Sequence, residues 1–143
     1  MVTLGSNAEL FMASGFTAGE NKTLIFGDNG LESVASAALG WVITSNGSSA
    51  YRFAGPGVGA TDDNPTLYLY RGFTYRFHNQ TGASHPFKLR VSAGGAAVTD
   101  GVSGNDEGVQ YYTIPMDLAA GTTYKYQCGI PSHAAMIGDL VIV

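Results

Sequence analysis

The chain has 143 residues, which suits a single domain, and a formal net charge of −4 at pH 7. Its seven Lys and Arg residues are scattered, without the basic run typical of nucleic-acid binding, and no stretch approaches the roughly 18 apolar residues of a membrane span. Charged residues make up only 13% of the chain and there are 20 glycines, which favours short strands joined by turns.

The first 40 residues differ in pattern from the rest. Short apolar runs at Leu10–Met12 and Lys22–Phe26 are separated by glycines, and the segment is too short for a core of its own. We therefore expect residues 1–40 to form an N-terminal extension or arm. The start of the chain lacks the basic and apolar regions of a signal peptide, so a complete chain would stay in the cytosol in which it is made, or leave it by lysis.

From Trp41 onward the sequence predicts a steady succession of short strands. They are Trp41–Thr44, Ala50–Phe53, Pro65–Tyr70, Phe73–Phe77, His85–Val91, Gln110–Ile114, Tyr124–Cys128 and Leu140–Val143. Gly, Pro, Asn and Asp separate these strands, as in sandwiches with tight turns. We predict an all-β, Greek-key antiparallel β-sandwich over residues 41–143.

Alternation along the strands predicts which side chains face the core. The expected inward-facing sets are Phe73, Tyr75 and Phe77; His85, Phe87, Leu89 and Val91; and Tyr124, Tyr126 and Cys128. His85 and Cys128 are therefore both expected to point inward. His78 has the parity of Thr74 and Arg76, which predicts a surface position.

One loop carries most of the chemistry-bearing residues. Cys128, His133 and Met136 form a Cys-x4-His-x2-Met pattern between two predicted strands, and His85 lies upstream on an inward-facing position. Two histidines, one cysteine and a weak axial methionine are the ligands of mononuclear blue-copper sites. We therefore predict a metal site of His85, Cys128, His133 and Met136. Zinc is the main chemical alternative to copper, because the same imidazoles and thiolate would bind it.

Other readings of these residues have less support. Tyr126 two residues before Cys128 also fits the tyrosine corner of immunoglobulin-like domains, but those domains need a second cysteine and this chain has one. Asp62, Asp63 and Asn64 lack the spacing of a calcium loop and are expected to form a turn. No Ser/His/Asp grouping has a spacing that supports a catalytic triad, and Met136 would fill the metal position that a substrate needs, so we expect no enzyme.

Residues 41–143 resemble the cupredoxins, a group that includes plastocyanin, amicyanin and azurin. The matching residues are the run Gly121–Cys128, His133, Met136, Gly138 and the run Leu140–Val143. The resemblance implies that Cys128, His133 and Met136 are loop ligands to copper and that His85 is the upstream ligand. Pro86 departs from the pattern, because a polar residue often follows the upstream histidine and proline has no backbone N–H to donate.

The chain also resembles domains of virion structural proteins from marine bacteriophages, notably those that infect cyanobacteria. The matching residues are Trp41, Asn46–Phe53, Gly55–Gly57, Asn64–Leu69, Arg71–Gly72, Tyr75–Phe77, Ser84–Phe87, Tyr126–Cys128 and His133–Met136. This resemblance implies a cupredoxin-like module of capsid decoration or appendage type, with its metal site holding copper, holding zinc or left unoccupied.

The two resemblances give two hypotheses for function. The first is a virion-associated structural protein, made in the host cytoplasm, that binds other virion subunits or itself through residues 1–40. It would have no nucleic-acid, membrane or small-molecule partner. The alternative is a soluble type 1 blue-copper electron-transfer protein, which would use the same four residues for redox chemistry.

Overall fold

The computed structural model describes residues 39–143 as nine strands and two 3₁₀ turns. The strands are β1 (Gly40–Asn46), β2 (Ala50–Ala54), β3 (Leu67–Leu69), β4 (Thr74–Asn79), β5 (Phe87–Arg90), β6 (Val102–Gly104), β7 (Val109–Thr113), β8 (Thr123–Cys128) and β9 (Ile137–Ile142). The 3₁₀ turns are Gly82–Ser84 and Pro131–His133. The predicted arm, residues 1–40, lies outside the described residues except for Leu39 and Gly40. Within 39–143, no helix is long and apolar enough to cross a bilayer.

The strands form two sheets. One has the order β3-β9-β8-β5 and the other the order β2-β1-β4-β7-β6. The pairs β3–β9 and β1–β4 are parallel, and the other pairs are antiparallel. Consecutive strands cross repeatedly from one sheet to the other, and these crossings allow two partners to run in the same direction. The predicted all-β sandwich is confirmed, with mixed rather than purely antiparallel sheets.

The core lies between the two sheets and is rich in aromatic side chains. The rings of Phe53 and Tyr126, from opposite sheets, have centroids 5.0 Å apart, and those of Phe77 and Phe87 are 5.4 Å apart. The largest fully buried side chains are Tyr51, Tyr75, Tyr112, Tyr126, Phe53, Phe77, Phe87, Ile43, Leu67, Leu69 and Ile114. Each of these aromatic side chains buries a large apolar area, so the rings contribute a large share of the hydrophobic stabilisation of the core.

The predicted alternation is confirmed within the strands and is wrong at two strand ends. Tyr75 and Phe77 are buried, as are Phe87 and Leu89. Phe73 is 54% exposed because β4 begins at Thr74, and Val91 is 42% exposed because β5 ends at Arg90. Side chains alternate between the two faces of a sheet only while the backbone is extended. The alternation therefore does not predict the burial of a residue beyond the end of its strand.

Candidate metal centre

Two strand pairings bring the predicted ligands to one end of the sandwich. In the antiparallel pair β5–β8, Phe87 lies opposite Cys128, so the chain just before β5 runs beside the cysteine. In the pair β8–β9, Ile137 lies opposite Gln127, so the intervening loop returns to the end that it left. His85 and the loop of residues 129–136 therefore meet at Cys128.

The loop between β8 and β9 is closed by its own backbone. The Cys128 N–H donates to the carbonyl oxygen of Met136 at 3.0 Å, which ties the two ends of the loop together. Pro131 begins the 3₁₀ turn that carries His133, a position where its fixed φ and missing N–H are no disadvantage. The His133 N–H donates to Ile130 and the Met136 N–H donates to His133, both at 2.9 Å. These bonds fix the loop in one compact shape.

His85, Cys128 and His133 place three metal-binding atoms around a single point. The Nδ1 atoms of the two histidines are 3.1 Å apart, and the Cys128 Sγ lies 3.8 Å from the His85 Nδ1 and 3.7 Å from the His133 Nδ1. Within residues 39–143, no other group of histidine, cysteine or carboxylate side chains has this arrangement.

The size of this triangle fits a transition-metal ion. A point in the plane of the three atoms lies about 2.0 Å from each nitrogen and about 2.1 Å from the sulfur, close to the lengths of metal–imidazole and metal–thiolate bonds. Three donor atoms converge on that point. A histidine with only a structural role would instead be hydrogen-bonded to a partner of its own. The side chains therefore fit a trigonal metal ion.

Met136, the fourth predicted ligand, lies at the end of the same loop. Its side chain is fully buried and belongs to the same core cluster as Cys128, which is itself 4% exposed. His85 and His133 are half-buried. The site therefore has a dry side, towards the core, and a side closer to solvent.

The surroundings of His85 favour the neutral form of its imidazole. Burial disfavours a charged imidazole, and so does the facing His133; together they lower the pKa of His85 below its ordinary value. A neutral imidazole is the metal-binding form. The Ile130 N–H donates to the Cys128 Sγ at 3.4 Å, so the sulfur accepts one backbone hydrogen bond.

The backbone of His85 is held through its carbonyl oxygen, next to Pro86, which has no N–H to donate. The His85 carbonyl oxygen accepts hydrogen bonds from the Tyr51 hydroxyl at 2.8 Å, the Asn79 Nδ2 at 2.8 Å and the Thr81 Oγ1 at 3.1 Å. Sequence reasoning missed these residues. The buried position of Asn79 at the end of a strand was the available signal, since a buried amide must find partners.

His78, the third histidine of the chain, is not part of the site. It lies on β4 with the parity of Thr74 and Arg76, is half-buried, and does not join the group of His85, Cys128 and His133. Asp62 accepts a hydrogen bond from the Gly59 N–H at 2.8 Å, and Asp63 pairs with Arg52, so these acids serve the turn in which they lie.

The chain is similar to solved structures that include amicyanin and rusticyanin. A reduced, Cu(I) form of an amicyanin variant is 22% identical over 75% of this chain and 83% of the amicyanin chain, with a TM-score of 0.43. Reduced rusticyanin is 24% identical over 73% of this chain and 77% of its own, with a TM-score of 0.40. No protein-family model and no curated protein sequence matches the chain.

Proposed function

We propose that this protein is a mononuclear copper protein that transfers electrons. His85, Cys128 and His133 would hold the copper ion through two imidazoles and one thiolate, and Met136 would supply a weak thioether ligand. The convergence of two Nδ1 atoms and one thiol sulfur on a point at metal-bonding distance carries this proposal.

Copper fits the donor set better than zinc does. Structural zinc is almost always tetrahedral, with four nitrogen, sulfur or carboxylate ligands. Within residues 39–143 only three such side chains group together. The remaining candidate, Met136, is a thioether, which is the weak fourth ligand of blue-copper sites and is not among the usual Cys, His and carboxylate ligands of zinc.

The surroundings of the site suit electron transfer. Copper bound there would take up and release one electron. Cys128 and Met136 are buried in the core, and the backbone hydrogen bonds within residues 128–136 would limit movement of the donor atoms when the metal gains or loses an electron. The loop residues around His133 carry no charge, and Pro131, Ser132, Ala134 and Ala135 are exposed, so an electron-transfer partner could approach closely without an ionic barrier.

The proposal is tested by adding Cu(II) to the purified protein and recording its visible spectrum. We expect one copper per chain and an intense visible absorption band, because a short Cu–thiolate bond absorbs strongly. Cys128→Ser should abolish the band. His78→Ala is the matched control and should leave it unchanged. Failure to bind copper, or a band that survives Cys128→Ser, would contradict the proposal.

The virion-associated role stays a prediction, as do its partners and its location in the virion. It rests on the resemblance of residues from Trp41 onward to virion domains, on the lack of a signal peptide at the start of the chain and on an arm at residues 1–40, and almost all of the arm lies outside the described residues. Phage particles purified from the native source of this protein that contain no copy of it would contradict that role. The metal site is compatible with either hypothesis, and its geometry bears directly on the electron-transfer function.

A further inference from the structure

Asn64 has an unusual backbone conformation for its residue type. Within residues 39–143 it is the one non-glycine residue with a positive φ, at 49°. Asn tolerates the left-handed region better than other side chains, but the conformation still has a cost and persists only where surrounding contacts enforce it. Asn64 lies in the connection after β2, 21 positions before His85 in the sequence. Its position in the sequence therefore does not predict a contact with the candidate metal centre.

The side chain of Asn64 joins β2 to the ligand loop. Its Nδ2 donates to the carbonyl oxygen of Ala135 at 2.9 Å, and its Oδ1 accepts from the Tyr51 N–H at 3.0 Å. The Asn64 N–H also donates to the Tyr51 carbonyl at 2.8 Å. Because one partner is an acceptor and the other a donor, the orientation of the amide is fixed by its neighbours. Ala135 lies between His133 and Met136.

Tyr51 extends this connection to the other half of the site. Its hydroxyl oxygen lies 2.8 Å from the His85 carbonyl oxygen and 3.0 Å from the Pro86 carbonyl oxygen, so its one proton is shared between these two acceptors. The Pro86 carbonyl also accepts from the Gly129 N–H, directly after Cys128, at 2.8 Å. Tyr51 is fully buried, so its hydroxyl has no water to exchange these bonds with.

We infer that Asn64 and Tyr51 are positioning residues that hold the ligand loop and His85 at a fixed separation. The backbone of Tyr51 is hydrogen-bonded to Asn64, which in turn is hydrogen-bonded to the ligand loop. The hydroxyl of Tyr51 is hydrogen-bonded to the carbonyl oxygens of His85 and Pro86. This arrangement works through carbonyl oxygens and therefore does not need the N–H that Pro86 lacks. The expected effect on the copper spectrum and reduction potential rests on the proposed copper function. The expected effect on the shape of the ligand loop rests on the hydrogen bonds alone.

The first test uses the metal-free protein and two substitutions at one position. Asn64→Gly removes the side-chain bonds but accepts the positive φ, whereas Asn64→Ala removes the bonds and adds backbone strain. Asn46→Ala is the matched control, because the Asn46 Nδ2 donates at 3.1 Å to Asp63, next in sequence to Asn64, and does not reach the ligand loop.

Hydrogen exchange of the Cys128 and Met136 amides measures opening of the loop. Asn64→Gly should speed their exchange roughly two- to tenfold relative to the core strands, the factor expected for one lost hydrogen bond. Asn64→Ala should do at least as much, and Asn46→Ala should leave the ratio unchanged. Equal exchange ratios in wild type and Asn64→Gly would overturn the inference.

The second test uses the copper-loaded protein. Asn64→Gly and Tyr51→Phe should each shift the reduction potential and the ratio of the visible bands, while Asn46→Ala should match wild type. Variants that only lose thermal stability, with wild-type spectrum and potential, would show a merely structural role and overturn the inference. A wild-type protein that gives no band contradicts the proposed copper function instead, and the exchange measurement then still decides whether Asn64 holds the loop.

Discussion

At the scale of single residues, the site depends on imidazoles that are neutral when the metal binds. His85 is half-buried, and its Nδ1 faces the Nδ1 of His133 at 3.1 Å. A proton on His85 would lose hydration and would meet a second imidazole rather than a carboxylate. The lowered pKa of His85 is therefore the expected consequence of the geometry that a metal ion requires.

This lowered pKa predicts how the stability of the metal-free protein depends on pH. Between the folded-state pKa of His85 and its ordinary value of 6.5, the unfolded chain binds more protons than the folded protein. The free energy of unfolding should therefore fall as the pH is lowered through about 6.5. Urea unfolding between about pH 8 and pH 5.5, above the range in which carboxylates titrate, measures this dependence.

The control for this measurement is His85→Gln, which removes the titrating group and keeps a polar side chain. Its stability should vary less over the same interval, whereas His78→Gln should follow wild type. A wild-type slope that persists unchanged in His85→Gln would assign the dependence to other groups and contradict the account of His85.

Individual residues also show what the sequence could and could not predict about the site. The convergence of His85, Cys128 and His133 was predicted, because strand parity and loop spacing are local patterns. The roles of Tyr51 and Asn64 were not, because the bond from Asn64 to Ala135 spans 71 positions and begins from a backbone conformation that the residue type permits but does not require.

At the scale of elements, the pairing of β8 with β9 depends on a glycine. Gly138 lies opposite Tyr126, and a Cβ at that position would collide with the Tyr126 ring and hydroxyl. Tyr126 is fully buried and donates from its hydroxyl to the Pro65 carbonyl at 2.6 Å, so the ring has little freedom to move aside. Gly138 thus makes room for an aromatic ring that packs against both sheets.

We predict that Gly138→Ala destabilises the fold by about 1–3 kcal/mol, the usual range for overpacking a close-packed core. Denaturant unfolding of the metal-free protein measures the change. Gly108→Ala is the matched control, because a Cβ there would meet no atom within 4 Å, and it should change stability far less. Equal losses of stability in the two variants would show that the Tyr126 ring moves aside at little cost, and would contradict this prediction.

The elements that sequence analysis missed are those without a periodic signal. β6 is only three residues long, Val102–Gly104, and none of them is fully buried, so no alternation marks it. It exists because it pairs with β7 at the edge of the five-stranded sheet. β4 extends past its predicted end to Asn79, whose buried amide holds the carbonyls of His85 and Asp106.

At the scale of the whole sandwich, the metal centre draws on both sheets. Cys128 and the ligand loop come from the four-stranded sheet, while Tyr51 and Asn79 belong to the five-stranded sheet and hold the His85 segment. The aromatic core packs the two sheets together directly beneath the site, with Tyr51 and Phe87 at ring centroids 5.2 Å apart. Relative movement of the sheets would therefore disturb the donor atoms, and the close-packed core resists it.

The most direct test of the central claim is the X-ray absorption fine structure of the copper-loaded protein, which measures the distances from copper to its ligands. The donor positions predict two nitrogen ligands at about 2.0 Å and one sulfur ligand at about 2.1–2.2 Å. A spectrum with only nitrogen and oxygen ligands, or with the sulfur missing from that shell, would contradict a copper site formed by His85, Cys128 and His133.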